Sequence, residues 1–146
     1  MIRHPIVCWA IVSAAIGVPA IALCADTAHS VWDGVYTAAQ VTRGAGQYQQ
    51  QCAGCHGAAL GGSDSAPPLA GSAFLANWNG QTAGALFTRI KTTMPLDNPG
   101  SLSGAKVADV EAFILSRNGF PAGEGELTGD AAAQASIAIR QDKPAP

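Results

Sequence analysis

The segment Gln51-Cys52-Ala53-Gly54-Cys55-His56-Gly57 constrains this chain more than any other feature of its sequence. Two thiols three residues apart reach the two vinyl groups on one edge of a haem, and the thioethers so formed turn the adjacent imidazole onto the iron. Tethering makes His56 a near-intramolecular ligand and keeps the group in place at small entropic cost. A Cys-x-x-Cys pair also occurs in thiol redox sites and as half of a zinc site. No βαβ pattern surrounds this pair and no second Cys/His pair accompanies it, so one covalently attached haem c is the expected cofactor. A chain that must close around a large flat apolar group gains core it would otherwise lack at this length of 146 residues.

The other two cysteines belong to a different part of the story. Arg3 and His4 form a short basic start, Ile6 to Leu23 carry no charge, and small residues close the run before Asp26. Residues 1–25 therefore read as a secretory signal, which places the mature chain in the periplasm, beginning near Ala25 or Asp26. The rival is an uncleaved membrane anchor, since about 18 apolar residues is the lower limit for a span. Pro19 and the Ala22-Leu23-Cys24-Ala25 ending favour cleavage, and Leu23 is too large for the small residue required before a lipid-modified Cys24. Cys8 and Cys24 lie within or beside the segment that export discards, which leaves Cys52 and Cys55 as the pair securely inside the mature domain, and one close pair is no disulfide scaffold.

A haem that only carries electrons needs a second axial ligand. His4 lies in the signal and Met1 is the initiator, which leaves His29 and Met94. Met94 follows His56 by 38 residues, in Thr92-Thr93-Met94-Pro95, between a helical segment and a Pro/Gly-rich loop able to set sulfur over the haem face opposite His56. His29 is the rival sixth ligand.

Periodicity predicts helices and no strands. Thr37-Ala38-Ala39-Gln40 is a capping-box start, and Val41, Ala45, Tyr48 and Cys52 share a helical face that delivers Cys52 to the haem. Gly44 costs that helix about 1 kcal/mol of propensity but permits close crossing by a partner, expected to be the last clear helix. That helix runs from Ser103 or Gly104 to Arg117 with a Val107, Val110, Ile114 stripe, stopped by Asn118-Gly119 and Pro121. A third, from Thr82 to about Lys91, carries Leu86 and Ile90 at i, i+4 with Phe87 beside them and leads into the Met94 loop. Trp78, Phe74, Phe87 and Phe113 read as haem-packing or core residues, and Trp32 and Tyr36 as packing an N-terminal arm across the domain. The expected divisions are an arm over 26–36, the haem domain over 37–119, and an extended tail over 120–146 docked through Ile137 and Ile139.

With these residues placed, the chain resembles the class I cytochrome c family. Gly44 and Tyr48 precede Cys52 by eight and four residues, where the family has a glycine and an aromatic on its first helix, and Pro67-Pro68-Leu69-Ala70-Gly71 is similar to its Pro-x-Leu-x-Gly loop. The resemblance covers roughly residues 37–119. It implies an all-α, cytochrome c-like fold wrapped around one haem, and a Pro67 carbonyl that accepts a hydrogen bond from His56 Nδ1 and so orients the ligand. Gly34 to Gln40, the Trp78 region, Met94-Pro95 with Pro99 to Ser103, and Asn118 to Gly123 further resemble the cytochrome modules of bacterial quinohaemoprotein alcohol dehydrogenases and their free-standing relatives. The large β-propeller of the fused members is absent here, so substrate oxidation does not carry over. Electron acceptance from a quinoprotein (PQQ) dehydrogenase does, with a downstream cytochrome or terminal oxidase as the next carrier.

The expected function is thus one-electron transfer rather than catalysis. A net charge of −2 gives no electrostatic footprint for nucleic acid, and Lys91, Lys106 and Lys143 form no cluster, so docking to the redox partner is expected to be largely apolar. Two rivals remain: a haem enzyme or gas sensor with a labile sixth ligand, and a thiol-disulfide oxidoreductase with Cys52 and Cys55 free.

Overall fold

The structure, a computed structural model, describes residues 29–143. The signal segment, Cys8 and Cys24 lie outside the described residues. Six helices appear: α1 (Ala38–Gln51), α2 (Ala53–His56), α3 (Ser72–Trp78), α4 (Ala83–Thr93), α5 (Gly104–Arg117) and α6 (Ala131–Gln134), preceded by a 3-10 turn at Val31–Asp33. Among the described residues β pairing is limited to isolated bridges, so the fold is all-α.

α1 starts where the capping box predicts. The Thr37 hydroxyl accepts from Gln40 N–H at 3.2 Å while the Gln40 side chain accepts from Thr37 N–H at 3.4 Å. Its crossing with α5 is the central contact, and Gly44 makes it possible: a Cβ there would collide with the Asp109 carbonyl. Tyr48 and Phe113 extend the seam with ring centroids 5.3 Å apart. On its outer side Arg43 forms a two-pronged pair with Asp109, Nε and Nη2 each donating at 2.8 Å, and reaches Glu126 at 2.9 Å. These two carboxylates push the guanidinium pKa upward, through hydrogen bonding foremost.

α4 runs two residues past the predicted Lys91. The Thr92 and Thr93 hydroxyls donate back to the carbonyls of Thr88 and Arg89 at 2.8 and 2.6 Å, accommodating β-branched residues in the last turn. The helix stops at Met94, which is extended with ψ 152°, because a residue before proline is kept out of the α region. α3 had no counterpart in the sequence reading. It follows Gly71, whose φ of 83° favours glycine, and has no side-chain cap. Phe74 and Trp78, one turn apart on its inner face, lie with ring centroids 6.1 Å apart.

The arms are more ordered than an extended reading allows. Tyr36 is buried and its hydroxyl donates to the Phe120 carbonyl, while Trp32 meets Phe120 edge-on at 4.9 Å and donates from Nε1 to Arg140 O at 2.9 Å. Instead of an extended tail, the chain beyond Gly123 forms a strap containing α6. Ile139 is fully buried and Ile137 packs against the core, as the tail reading expected, and Leu127 joins them. The strap is held by backbone bonds, among them Ala83 N–H to Ile137 O at 2.9 Å and Ile139 N–H to Gln81 O at 2.8 Å.

Candidate haem-binding site

Cys52 is the C-cap of α1, its N–H bonded to Tyr48 O at 2.9 Å, and the single turn of α2 then carries Cys55 and His56. Cys52 is half-buried and Cys55 exposed, and neither is in a disulfide. Tyr48 Oη donates to Gly57 O at 2.7 Å, fixing the chain just after the motif to the helix just before it.

Residues 57–71 form a tight loop that returns to His56. Gly62 N–H donates to His56 O and Leu69 N–H to Leu60 O, both at 2.8 Å. Leu60 is fully buried with φ 62°, a conformation a leucine holds only when packing over-determines it. Gly62, at φ 77°, has no room for a side chain, since a Cβ would come within 2.7 Å of Pro68 N. This loop brings the Pro67 carbonyl to 2.8 Å from His56 Nδ1. Nδ1 therefore carries the proton and donates, which leaves Nε2 with its lone pair free for a metal. The far end of the loop is pinned by Asn118 at the end of α5, which accepts from Gly71 N–H and donates to Leu69 O, each at 3.0 Å.

His56, Cys52, Cys55 and Pro67 open onto one cavity of about 720 Å³ whose walls also include Leu86 and Ile90 of α4, Val110 and Ile114 of α5, Trp78 and Met94. The fit to a haem rests on this arrangement. Two thiols and a single imidazole with its proton already committed share the lining with the aliphatic side chains of Leu86, Ile90, Val110 and Ile114. Among the described residues no three His, Cys, Asp or Glu side chains gather as a metal cluster.

The sequence-predicted residues divide clearly. Cys52, Cys55, His56, Pro67 and Met94 come together around the cavity, whereas His29 is exposed beside the strap, its carbonyl accepting from Ala138 N–H at 2.8 Å, and is not in the cavity wall. Trp78 is in the wall, with Phe74 behind it; Phe87 and Phe113 sit in the surrounding core cluster. Arg89 was not singled out from sequence, yet it is the one cationic side chain in the wall; its place between Leu86 and Ile90 on α4 was the available signal. The Asn118 contacts were missed too, because a residue read as a helix stop gives no sign of the loop it will hold.

Burial, and then the neighbouring Cys55, push the Cys52 thiol up to about 11. A redox-active dithiol requires the opposite, a thiol pulled down toward neutrality.

An all-α shell with a Cys-x-x-Cys-His turn opening onto an apolar cavity defines a c-type cytochrome, an electron-transfer protein with covalently bound haem c. The chain belongs to the family described as cytochrome c oxidase, cbb3-type, subunit III, whose model matches residues 39–114, more than half of its length. Among solved structures it is similar to a chain in the crystal structure of the sulfane dehydrogenase SoxCD from Paracoccus pantotrophus, with 22% identity and a TM-score of 0.48 over 85% of this chain and 68% of that one. No curated protein matches the chain.

Proposed function

We propose that the chain is an exported monohaem carrier that receives single electrons outside the cytoplasmic membrane and passes them on, with iron held between His56 and Met94. The observation that carries this reading is Met94 in the wall of the same cavity that His56, Cys52 and Cys55 line. Haem c supplies the Fe(III)/Fe(II) couple when bound. Cys52 and Cys55 would anchor it by thioethers, Pro67 O keeps the proton on His56 Nδ1 and so aims Nε2, and Leu86, Ile90, Val110 and Ile114 would exclude water. Neutral thioether sulfur and low dielectric both favour the less charged ferrous centre, giving a relatively high potential. Arg89, in the cavity wall, would offset negative charge on the bound group.

The donor in this reading is a quinoprotein dehydrogenase and the acceptor a downstream cytochrome or terminal oxidase, on the strength of the sequence resemblance to quinohaemoprotein cytochrome modules. Leu96, 76% exposed beside the cavity, supports an apolar docking face of the small, short-lived kind, below about 1,200 Å². Export rests on the sequence of residues 1–25; among the described residues no helix is long and apolar enough to cross a membrane.

The test is the visible spectrum of the reduced, haem-loaded protein before and after carbon monoxide. An unchanged low-spin spectrum is the expected result for a closed six-coordinate carrier. Rapid binding of carbon monoxide overturns it in favour of a sensor or haem enzyme with an open sixth position.

A further inference from the structure

Glu111 is fully buried on α5, and neither of its carboxyl oxygens has a hydrogen-bond partner. Among the described residues one other buried side-chain oxygen lacks a partner, Gln134 Oε1 on α6. The two side chains are neighbours, and Gln134 Nε2 donates to Thr128 O at 2.6 Å, which leaves the amide oxygen as an acceptor without a partner. Both carboxyl oxygens of Glu111 and Oε1 of Gln134 lack a donor, and a single proton on Glu111 supplies one.

We propose that Glu111 is a neutral carboxylic acid at neutral pH, donating to Gln134 Oε1, and that loss of this proton to solvent releases the strap carrying α6 from α4 and α5. Burial holds the Glu111 carboxyl well above the usual carboxylate range and outweighs the amide of Gln134, whose N–H groups favour the ionised form. The strap lies where such a latch has leverage. Gly104 takes Gly129 against the start of α5, and Gly84 takes Ala131 and Gln134 against α4 so closely that a Cβ would fall 2.5 Å from Ala131 O. A charge generated under this seam has no counter-ion. On α1, Arg43 is committed to Asp109 and Glu126; on α4, Lys91 donates to Gly100 O and Arg89 lines the haem cavity. On α5, Lys106 and Arg117 are exposed to water; on the strap, Asp130 caps α6, Arg140 and Lys143 are exposed, and Glu124 and Glu126 would only repel.

The linkage has a definite sign. Opening the strap exposes Glu111 to water, where it ionises near its ordinary value of about 4.3. Above that pH each unit raises the opening constant about tenfold, until the closed form itself ionises, so the strap loosens as pH rises. Hydrogen exchange of the Ala138 and Ile139 amides in the haem-loaded protein, corrected for the intrinsic rate, should show protection falling about tenfold per pH unit. In Glu111→Gln, whose amide still donates to Gln134, protection should not vary with pH. Equal slopes in the two proteins, or no slope in the wild type, overturn the latch. An independent readout needs no variant: Glu111, Glu124 and Glu126 are the only glutamates in the chain. Carbon-13 glutamate labelling should therefore show one protonated carboxyl band in the infrared at pH 7, and its absence overturns the neutral assignment.

Discussion

Met94 is one methionine at the end of one helix, and the proposed redox behaviour turns on it. Met94→Ala should keep the haem attached, because both thioethers remain, while lowering the midpoint potential and letting carbon monoxide reach the iron. Potentiometry that finds the midpoint unchanged removes Met94 from the ligand set. The two tyrosines offer a second residue-scale check. Burial raises both Tyr36 and Tyr48 to about 12, with the charge of Cys52 a lesser contribution at Tyr48. Each raised value contributes stability that is present below the unfolded pKa of about 10 and is lost as pH climbs through about 12. Ultraviolet titration of the native protein should accordingly show no phenolate near pH 10, whereas the unfolded chain ionises there.

At the scale of elements, α1 carries two glycines with opposite meanings. Gly44 is where α5 crosses, and any side chain meets the Asp109 carbonyl; nothing lies within 4 Å of a Cβ at Gly46. Gly46→Ala should therefore stabilise by about 1 kcal/mol through helix propensity alone. Gly44→Ala gains the same propensity but must push two helices apart, with a net loss of about 1–2 kcal/mol. Denaturant midpoints moving in opposite directions are the expected signature; a Gly44→Ala protein as stable as Gly46→Ala would show that the crossing is not close. The α1–α5 seam matters to the site because α1 ends in Cys52 and α5 supplies Val110 and Ile114 to the cavity wall.

For the whole molecule, charge is sparse and local. Arg43 is neutralised within the fold, Lys91 is tied to a carbonyl, and among the described residues the exposed large apolar side chain, Leu96, lies at the haem cavity. Electron exchange with the physiological donor should consequently vary less than about tenfold between low and high ionic strength. A steep fall in rate with added salt, measured by stopped flow, would point to charge-steered docking instead.

Residues 52–56 determine by themselves the cofactor and one edge of its attachment, because covalent chemistry depends on spacing along the chain and not on what surrounds it. The caps at Thr37 and Ser103 and the stripes on α4 and α5 were legible for a related reason: capping and helical periodicity are local. The contacts of Pro67 and Met94 with the cavity were implied by resemblance and loop setting, but their convergence on His56 is a property of the folded loop and of α4 stopping before Pro95. Only the tertiary structure could reveal α3, the role of Asn118, Arg89 in the cavity wall, and a glutamate buried against a glutamine 23 positions away. Each of these depends on long-range packing, which sets the solvent, the partners and the dielectric around a side chain while leaving no periodic trace in the sequence around it.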